Sequence, residues 1–212
     1  PLRDITEQRA DDFRTHYLTR GPKLLAPGTV FRRLKAVKML FKHAHRVKLV
    51  PANPFADVTA PGGVDEARKF YLPAGDAHKL IAAANPVWRV IVALCRFGGL
   101  RCPSEVLTLK WADVNFETGR MTVGSPKTEH LPGKAYRVVP IFPELRPVLD
   151  EAWELAGEGE LYVVGGLQGD RYRAAAHGPN GWVNCNLRET FLKLIRRAGL
   201  KPWPRVFHNL RA

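Results

Sequence analysis

Cysteine is scarce in this sequence. There are three, Cys95, Cys102 and Cys185, an odd number with no C-x-x-C pair among them. A disulfide framework or a zinc site is therefore not expected, and free thiols in a reducing cytoplasm fit best. Long apolar runs are also missing; none approaches the length that spans a bilayer. The first residues, PLRDITEQRADDF, are polar and mixed in charge, unlike a secretory signal. No G-x-x-x-x-G-K, H-E-x-x-H or G-x-S-x-G motif occurs, and the glycines of GGLQGD have the wrong spacing for a dinucleotide-binding turn. No repeat or low-complexity tract occurs either.

Acidic residues are the other shortage. Twenty Asp and Glu face 33 Lys and Arg, for a net charge of +13 and a pI near 10.1. Such a chain is drawn to polyanions, nucleic acid first and an anionic membrane surface second. The 212 residues suffice for one large domain or two small ones. The stretch APGGVDEA, with Pro51 and Pro54 on the approach, breaks the pattern. It predicts a domain over residues 1–60, a linker over 61–67 and a second domain over 68–212. Up to residue 67 there are 12 basic and 7 acidic residues; beyond it there are 21 and 13. Both parts are basic, as expected if both touch one polyanion.

The first part reads as helical. A helix is expected over Asp11–Leu18 and a stronger one over Thr29–Lys48, with Thr29 as its N-cap. Val30, Leu34, Val37, Phe41 and Ala44 recur at three- and four-residue steps and form a core stripe. Arg32, Lys35, Lys38, Lys42 and Arg46 recur in the same way on the opposite face. An ordinary solvated face mixes signs, because Glu–Lys pairs four residues apart support a helix. This stretch holds seven Lys and Arg and no acid. Those five cations are therefore candidates for DNA-phosphate contact. His43 and His45, two residues apart, cannot share a helix face and are expected at the surface or in packing.

The second part mixes helices with a few strands. Helices are expected over Asp76–Ala84, Val87–Phe97 (stopped by Gly98-Gly99), Pro103–Leu109, Pro143–Ala156 and Asn186–Ala198, with a last one starting in FHNLRA. Strand signals lie in ADVNF, RMTV, YRVVPI and, more briefly, LYVV. GGLQGDRYRAAAHGPNG reads as a long loop. The fold class expected is mostly α with a small antiparallel β-sheet.

Several cations sit where the chain is punctuated. Arg101 follows Gly98-Gly99-Leu100, and Lys127 lies in a loop between two strands. His208 and Arg211 are spaced to share one face of the last helix. Two arginines can grip one phosphodiester through paired hydrogen bonds, while a Lys and a His move protons on its oxygens. Together such groups stabilise charge building on phosphorus.

The blocks FGGLRCPSEVLTLKWADVNFETGRMTV, SPKT, YRVVPI and AGLKPWPRVFHNLR occur in an order that resembles the catalytic domain of the tyrosine recombinases, or phage-type integrases. The resemblance runs from about Arg68 to Ala212. More loosely, the basic helix and NPF resemble the end of that family's helical core-binding domain. By position, Arg101 resembles the first catalytic arginine, Lys127 the strand-turn lysine that protonates the departing 5′ oxygen, and His208 with Arg211 the His-x-x-Arg pair. Glu105 stands four residues after Arg101, where the family's acidic helper usually stands three after, so its role is a supporting one.

The family implies DNA strand cleavage and rejoining through a 3′-phosphotyrosyl link, without metal or nucleotide cofactor. Its nucleophilic tyrosine follows the second arginine by tens of residues. Tyr17, Tyr71, Tyr136, Tyr162 and Tyr172 all precede Arg211 and match no such position. The expectation is a piece that binds double-stranded DNA, gripping it between its two parts, without cleaving it. The piece is expected to be a monomer, with a tetramer on DNA only for the full-length protein. The rival is a non-catalytic DNA-binding module or regulator on the same fold. A membrane-surface protein is disfavoured because no helix pairs a basic face with exposed aromatics.

Overall fold

The computed structural model describes residues 1–20, 24–59, 62, 68–125, 129–178, 181–182 and 185–211. The chain divides into two compact units, Pro1–Glu66 and Ala67–Ala212. Among the described residues no helix is long and apolar enough to cross a membrane.

In the first unit, helix α1 spans Glu7–Thr15 and continues into a π-helical segment, His16–Arg20. It begins earlier than its apolar residues suggest because Thr6 caps it: the hydroxyl accepts the Arg9 N–H at 3.3 Å. Helix α2 spans Pro27–Arg46. Thr29 is not its cap. Pro27 occupies the first position, where its fixed φ suits a helix and its missing N–H costs nothing, so the helix starts two residues sooner. Thr29 instead donates its N–H to the Ala26 carbonyl at 2.7 Å.

The expected stripe of α2 is the core of this unit. Val30, Leu34, Phe41 and Ala44 are buried, with Val37 partly so. Ala10, Val50, Phe55 and Val58 pack against them. NPF closes this core. Asn53 Oδ1 accepts the Phe55 N–H at 3.0 Å and its amide donates to the Lys38 carbonyl at 3.4 Å. That turn drops the Phe55 ring 5.2 Å from Phe41 and 5.8 Å from Phe13, centroid to centroid. Burying a ring of this kind contributes about 1.5–3 kcal/mol. His43 and His45 are exposed.

In the second unit, helix α3 spans Ala74–Ala83 and α4 spans Pro86–Arg96. Asn85 caps α4, its side-chain oxygen accepting the Trp88 N–H at 2.9 Å. Every residue of α4 from Val90 to Cys95 is buried, so this helix is the unit's axis rather than a surface element. Trp88 stacks on Phe191 at 5.7 Å, tying it to α7, Leu187–Arg197. Helix α5 spans Arg146–Glu154, shorter than expected, and α8 spans Val206–Leu210.

Strands β1 (Val114–Asn115), β2 (Arg120–Gly124) and β3 (Tyr136–Pro140) form an antiparallel sheet in that order. Met121 lies opposite both Val114 and Val139, and all three are buried, which sets the inner face.

Three further expectations fail. Residues 102–108 form hydrogen-bonded turns, not a helix. The Glu105 and Leu107 N–H groups reach four residues back, to the Arg101 and Pro103 carbonyls at 2.9 Å each, but Val106 between them reaches five back, to the Arg101 carbonyl at 3.1 Å, so the consecutive bonds of an α-helix do not form. LYVV contributes only a bridge between Lys110 and Tyr162. GGLQGDRYRAAAHGPNG is not one long loop: it holds helix α6, Gly166–Ala176, and strand β4, His177–Gly178, which pairs with β5, Gly181–Trp182. Glycine there serves close packing as well as turning. A Cβ on Gly169 would lie 2.2 Å from the Val164 carbonyl oxygen. Arg173 then fastens the helix, donating to Val164 O at 2.6 Å and lying 3.9 Å over the Tyr162 ring.

A candidate phosphate-binding site

The chain reverses sharply after α4. A Cβ on Gly98 would meet the Leu94 carbonyl oxygen at 2.8 Å and the Met121 Cε at 2.9 Å, so only glycine lets the turn sit this close to helix and sheet. Gly99 follows with φ +64°, left-handed, where an L side chain is strained. Leu100 is buried and donates its N–H to the Leu94 carbonyl at 3.1 Å. Arg101 is the next residue out.

Glu105 organises what surrounds it. Its side chain has no solvent exposure. Oε2 accepts the Arg101 backbone N–H at 2.8 Å, and Oε1 accepts Arg101 Nη1 at 2.5 Å. Arg137, on β3, donates Nη1 to Oε1 at 3.0 Å and Nη2 to Oε2 at 2.8 Å, a two-pronged pair. Burial by itself would push the Glu105 carboxyl up. Hydrogen bonds from Arg137 and from the Arg101 backbone, with both guanidinium charges, outweigh it and hold the carboxyl below its ordinary value. Glu105 therefore stays ionised at neutral pH. Its place beside Arg101 goes further than the supporting role expected of it.

Arg211 enters from α8. That helix is anchored by Phe207, stacked 4.8 Å from Phe191, by Leu210 in the core, and by Asn209. The Asn209 amide donates to the Arg68 carbonyl at 2.8 Å and the Pro204 carbonyl at 2.6 Å. With these three turned inward, His208 is left exposed. Arg211 donates Nε–H to the Gly99 carbonyl at 2.9 Å, two residues before Arg101. Burial, and then the Arg101 charge, lower the Arg211 pKa from the usual arginine value; a guanidinium still remains protonated at neutral pH.

Arg101, Arg137 and Arg211 line one open cleft together with Gly98, Gly99, Ser125, Lys134 and Tyr136. Arg211 also lines a second cleft, with His208, Lys69 and Tyr71. The structure thus brings Arg101 and Arg211 together in one cleft, and His208 lines the other beside Arg211. Lys127 lies outside the described residues. Arg137 was not singled out from the sequence, although a signal for it was present. On YRVVP, Arg137 shares the inward-facing alternation with buried Val139, and a cation on such a face requires a counter-charge. A separate cavity of about 300 Å³, lined by Val87, Val90, Trp111 and Val148 among others, touches none of these cleft cations.

In the first unit, Lys35, Lys38 and Lys42 line one groove with Phe31, Met39 and Asn53. Lys35 and Lys42 are exposed, and among the described residues neither has a hydrogen-bond or ion-pair partner. Lys38 is half-buried beside the core, not opposite it, and donates to the Ala56 carbonyl at 2.9 Å. Arg32 and Arg46 are exposed but do not line the groove; they bond within the helix, to Gly28 O at 3.2 Å and His43 Nδ1 at 3.1 Å.

The three cysteines are free. A hydrogen bond with Cys95, then burial, pushes the Cys102 thiol well up, and burial pushes Cys185 up. Neither has the lowered pKa of a reactive thiolate.

No family model and no curated protein sequence matches the chain. Solved structures do. A lambda integrase (75–356) dimer bound to a COC′ core site matches with a TM-score of 0.69 at 18% identity, over 100% of this chain and 72% of that one. The Tn1549 transposon integrase (aa 82–397), in complex with circular intermediate DNA, matches with a TM-score of 0.67 at 16% identity, over 100% and 71%. Against another lambda integrase dimer bound to the same core site, the chain spans 56% of the partner's length. The fold is the integrase fold.

Proposed function

We propose that this chain is the DNA-binding and phosphate-gripping part of a tyrosine-type site-specific recombinase. The observation that carries this reading is the meeting of Arg101 and Arg211, distant in sequence, in one cleft braced by a buried carboxylate. Two guanidinium groups in one cleft with free N–H groups suit the non-bridging oxygens of a phosphodiester. The shared fold with DNA-bound integrases supports the same assignment.

In the parent protein, a tyrosine oxygen attacks the scissile phosphorus and forms the 3′-phosphotyrosyl bond as the P–O5′ bond breaks. Arg101 and Arg211 stabilise the charge that builds on the phosphoryl oxygens. Lys127 is the proton donor to the departing 5′ oxygen, and His208 assists proton movement. Phosphate energy is kept in the new ester, so the rejoining step is the reverse displacement by a 5′ hydroxyl.

This chain binds duplex DNA as a monomer and does not cleave it. Fluorescence anisotropy across a salt series is expected to show affinity falling steeply with salt, as phosphate contacts require. Salt-independent binding, or none, contradicts the assignment. A nicked suicide duplex is expected to give no covalent adduct on a denaturing gel. An adduct contradicts the lack of cleavage, and mapping would begin at Tyr71 and Tyr136, which line the two clefts.

A further inference from the structure

Three guanidinium groups meet at the cleft, and their hydrogen bonds divide them into two kinds. Arg137 donates Nη1 to Glu105 Oε1 at 3.0 Å and Ser125 Oγ at 3.2 Å. It donates Nη2 to Glu105 Oε2 at 2.8 Å and the Gly99 carbonyl at 3.4 Å. Each terminal nitrogen carries two N–H groups, so all four are committed to protein. Arg101 uses one side-chain N–H, on Glu105 Oε1, and Arg211 uses one, on the Gly99 carbonyl. Among the described residues nothing takes the remaining N–H groups of Arg101 or Arg211. Arg101 and Arg211 keep terminal N–H groups for a ligand, whereas Arg137 has only its Nε–H without a bond among the described residues.

The partners of Arg137 are the points on which the other parts hang. Glu105 holds Arg101 through side chain and backbone. The Gly99 carbonyl holds Arg211. Ser125, buried, is the residue immediately before the 126–128 segment that contains Lys127. We infer that Arg137 is a positioning residue: it fixes Arg101 through Glu105, Arg211 through Gly99 and the chain just before the 126–128 segment through Ser125, and makes no phosphate contact itself. This inference rests on the DNA-phosphate reading above. A lysine cannot do the same work, because an ammonium is a point donor and cannot span both carboxylate oxygens in one plane while also reaching Ser125 and Gly99.

The test compares R137K, R137A, R101A and the R101A/R137A double variant. R137K keeps the charge and the aliphatic stem and so preserves the packing even if R137A unfolds. R137K is expected to bind duplex DNA about tenfold more weakly than the parent chain. Adding R101A to R137A is expected to cost little more than R137A alone, since the Glu105 that holds Arg101 has already lost the two-pronged partner that orients it. In free protein, side-chain nitrogen–proton NMR is expected to show the Arg211 Nε–H protected from water in the parent and exposed in R137K. Parental affinity in R137K, or full additivity of R101A and R137A (the mark of an independent phosphate contact), overturns the inference. If the parent chain binds no DNA, the functional reading fails on its own, and the Arg211 signal still decides: unchanged protection in R137K overturns the positioning role.

Discussion

The two units present positive charge in opposite ways. On α2 the cations stand apart along a helix, and Lys35 and Lys42 have no partner among the described residues. In the second unit, three arginines crowd one buried carboxylate that bonds two of them. The first arrangement supplies attraction with little geometry, since flexible lysines meet phosphates as point charges. The second supplies geometry, because half-buried guanidinium groups held by neighbours can offer fixed donors to one anion. The difference is between finding DNA and holding a particular phosphorus in place.

The largest expected effect breaks the second arrangement and leaves the first alone. E105Q removes the one carboxylate that, among the described residues, pairs with Arg101 and Arg137. Loss of one partner from a buried charge cluster costs about 3–5 kcal/mol. Denaturant unfolding is expected to show that loss in the second unit, with the first unit's transition unchanged.

The same carboxylate predicts an acid response. Its folded pKa is lowered, so its stabilising contribution is fully present above the unfolded value of about 4.3 and is lost as pH falls through the folded value. The second unit of the parent chain should lose stability on acidification below that range, and E105Q should lose less. Equal acid sensitivity of the two would remove Glu105 from the explanation.

Next in size is R101A, expected to weaken duplex binding by about tenfold or more without unfolding the unit, because Glu105 keeps Arg137. Circular dichroism beside anisotropy separates the two effects. The smallest effects belong to α2. K35A and K42A should each flatten the salt dependence of log affinity by about 0.9. K38A should flatten it less, since Lys38 is tied to the Ala56 carbonyl. Slopes unchanged in K35A and K42A would make the helix an ordinary solvated face and erase the contrast.

What the sequence made legible follows the kind of force at work. Helices α2, α4 and α7 bury apolar stripes or runs, so periodicity located them to within a few residues. Helix α6 has almost no apolar stripe; it is held by the bare backbone at Gly169 and by Arg173 reaching Val164 O, contacts that leave no repeating mark. The start of α2 went to Pro27 and not Thr29 because a fixed φ competes with a capping hydroxyl. In the cleft, the resemblance of the GLR and FHNLR blocks to the recombinase family pointed to Arg101 and Arg211, but Arg137 was hidden in a strand signal. Its role depends on a carboxylate 32 positions away, a pairing that only the three-dimensional fold creates.

The central claim is that Arg101 and Arg211 act on one phosphate. A double-mutant cycle on duplex binding with R101A, R211A and the pair tests it most directly, in one buffer at one salt concentration. Convergence on a single anion predicts strong non-additivity, with the second substitution costing far less after the first. Two losses that simply add would mean two separate contacts, and the cleft would not be a site.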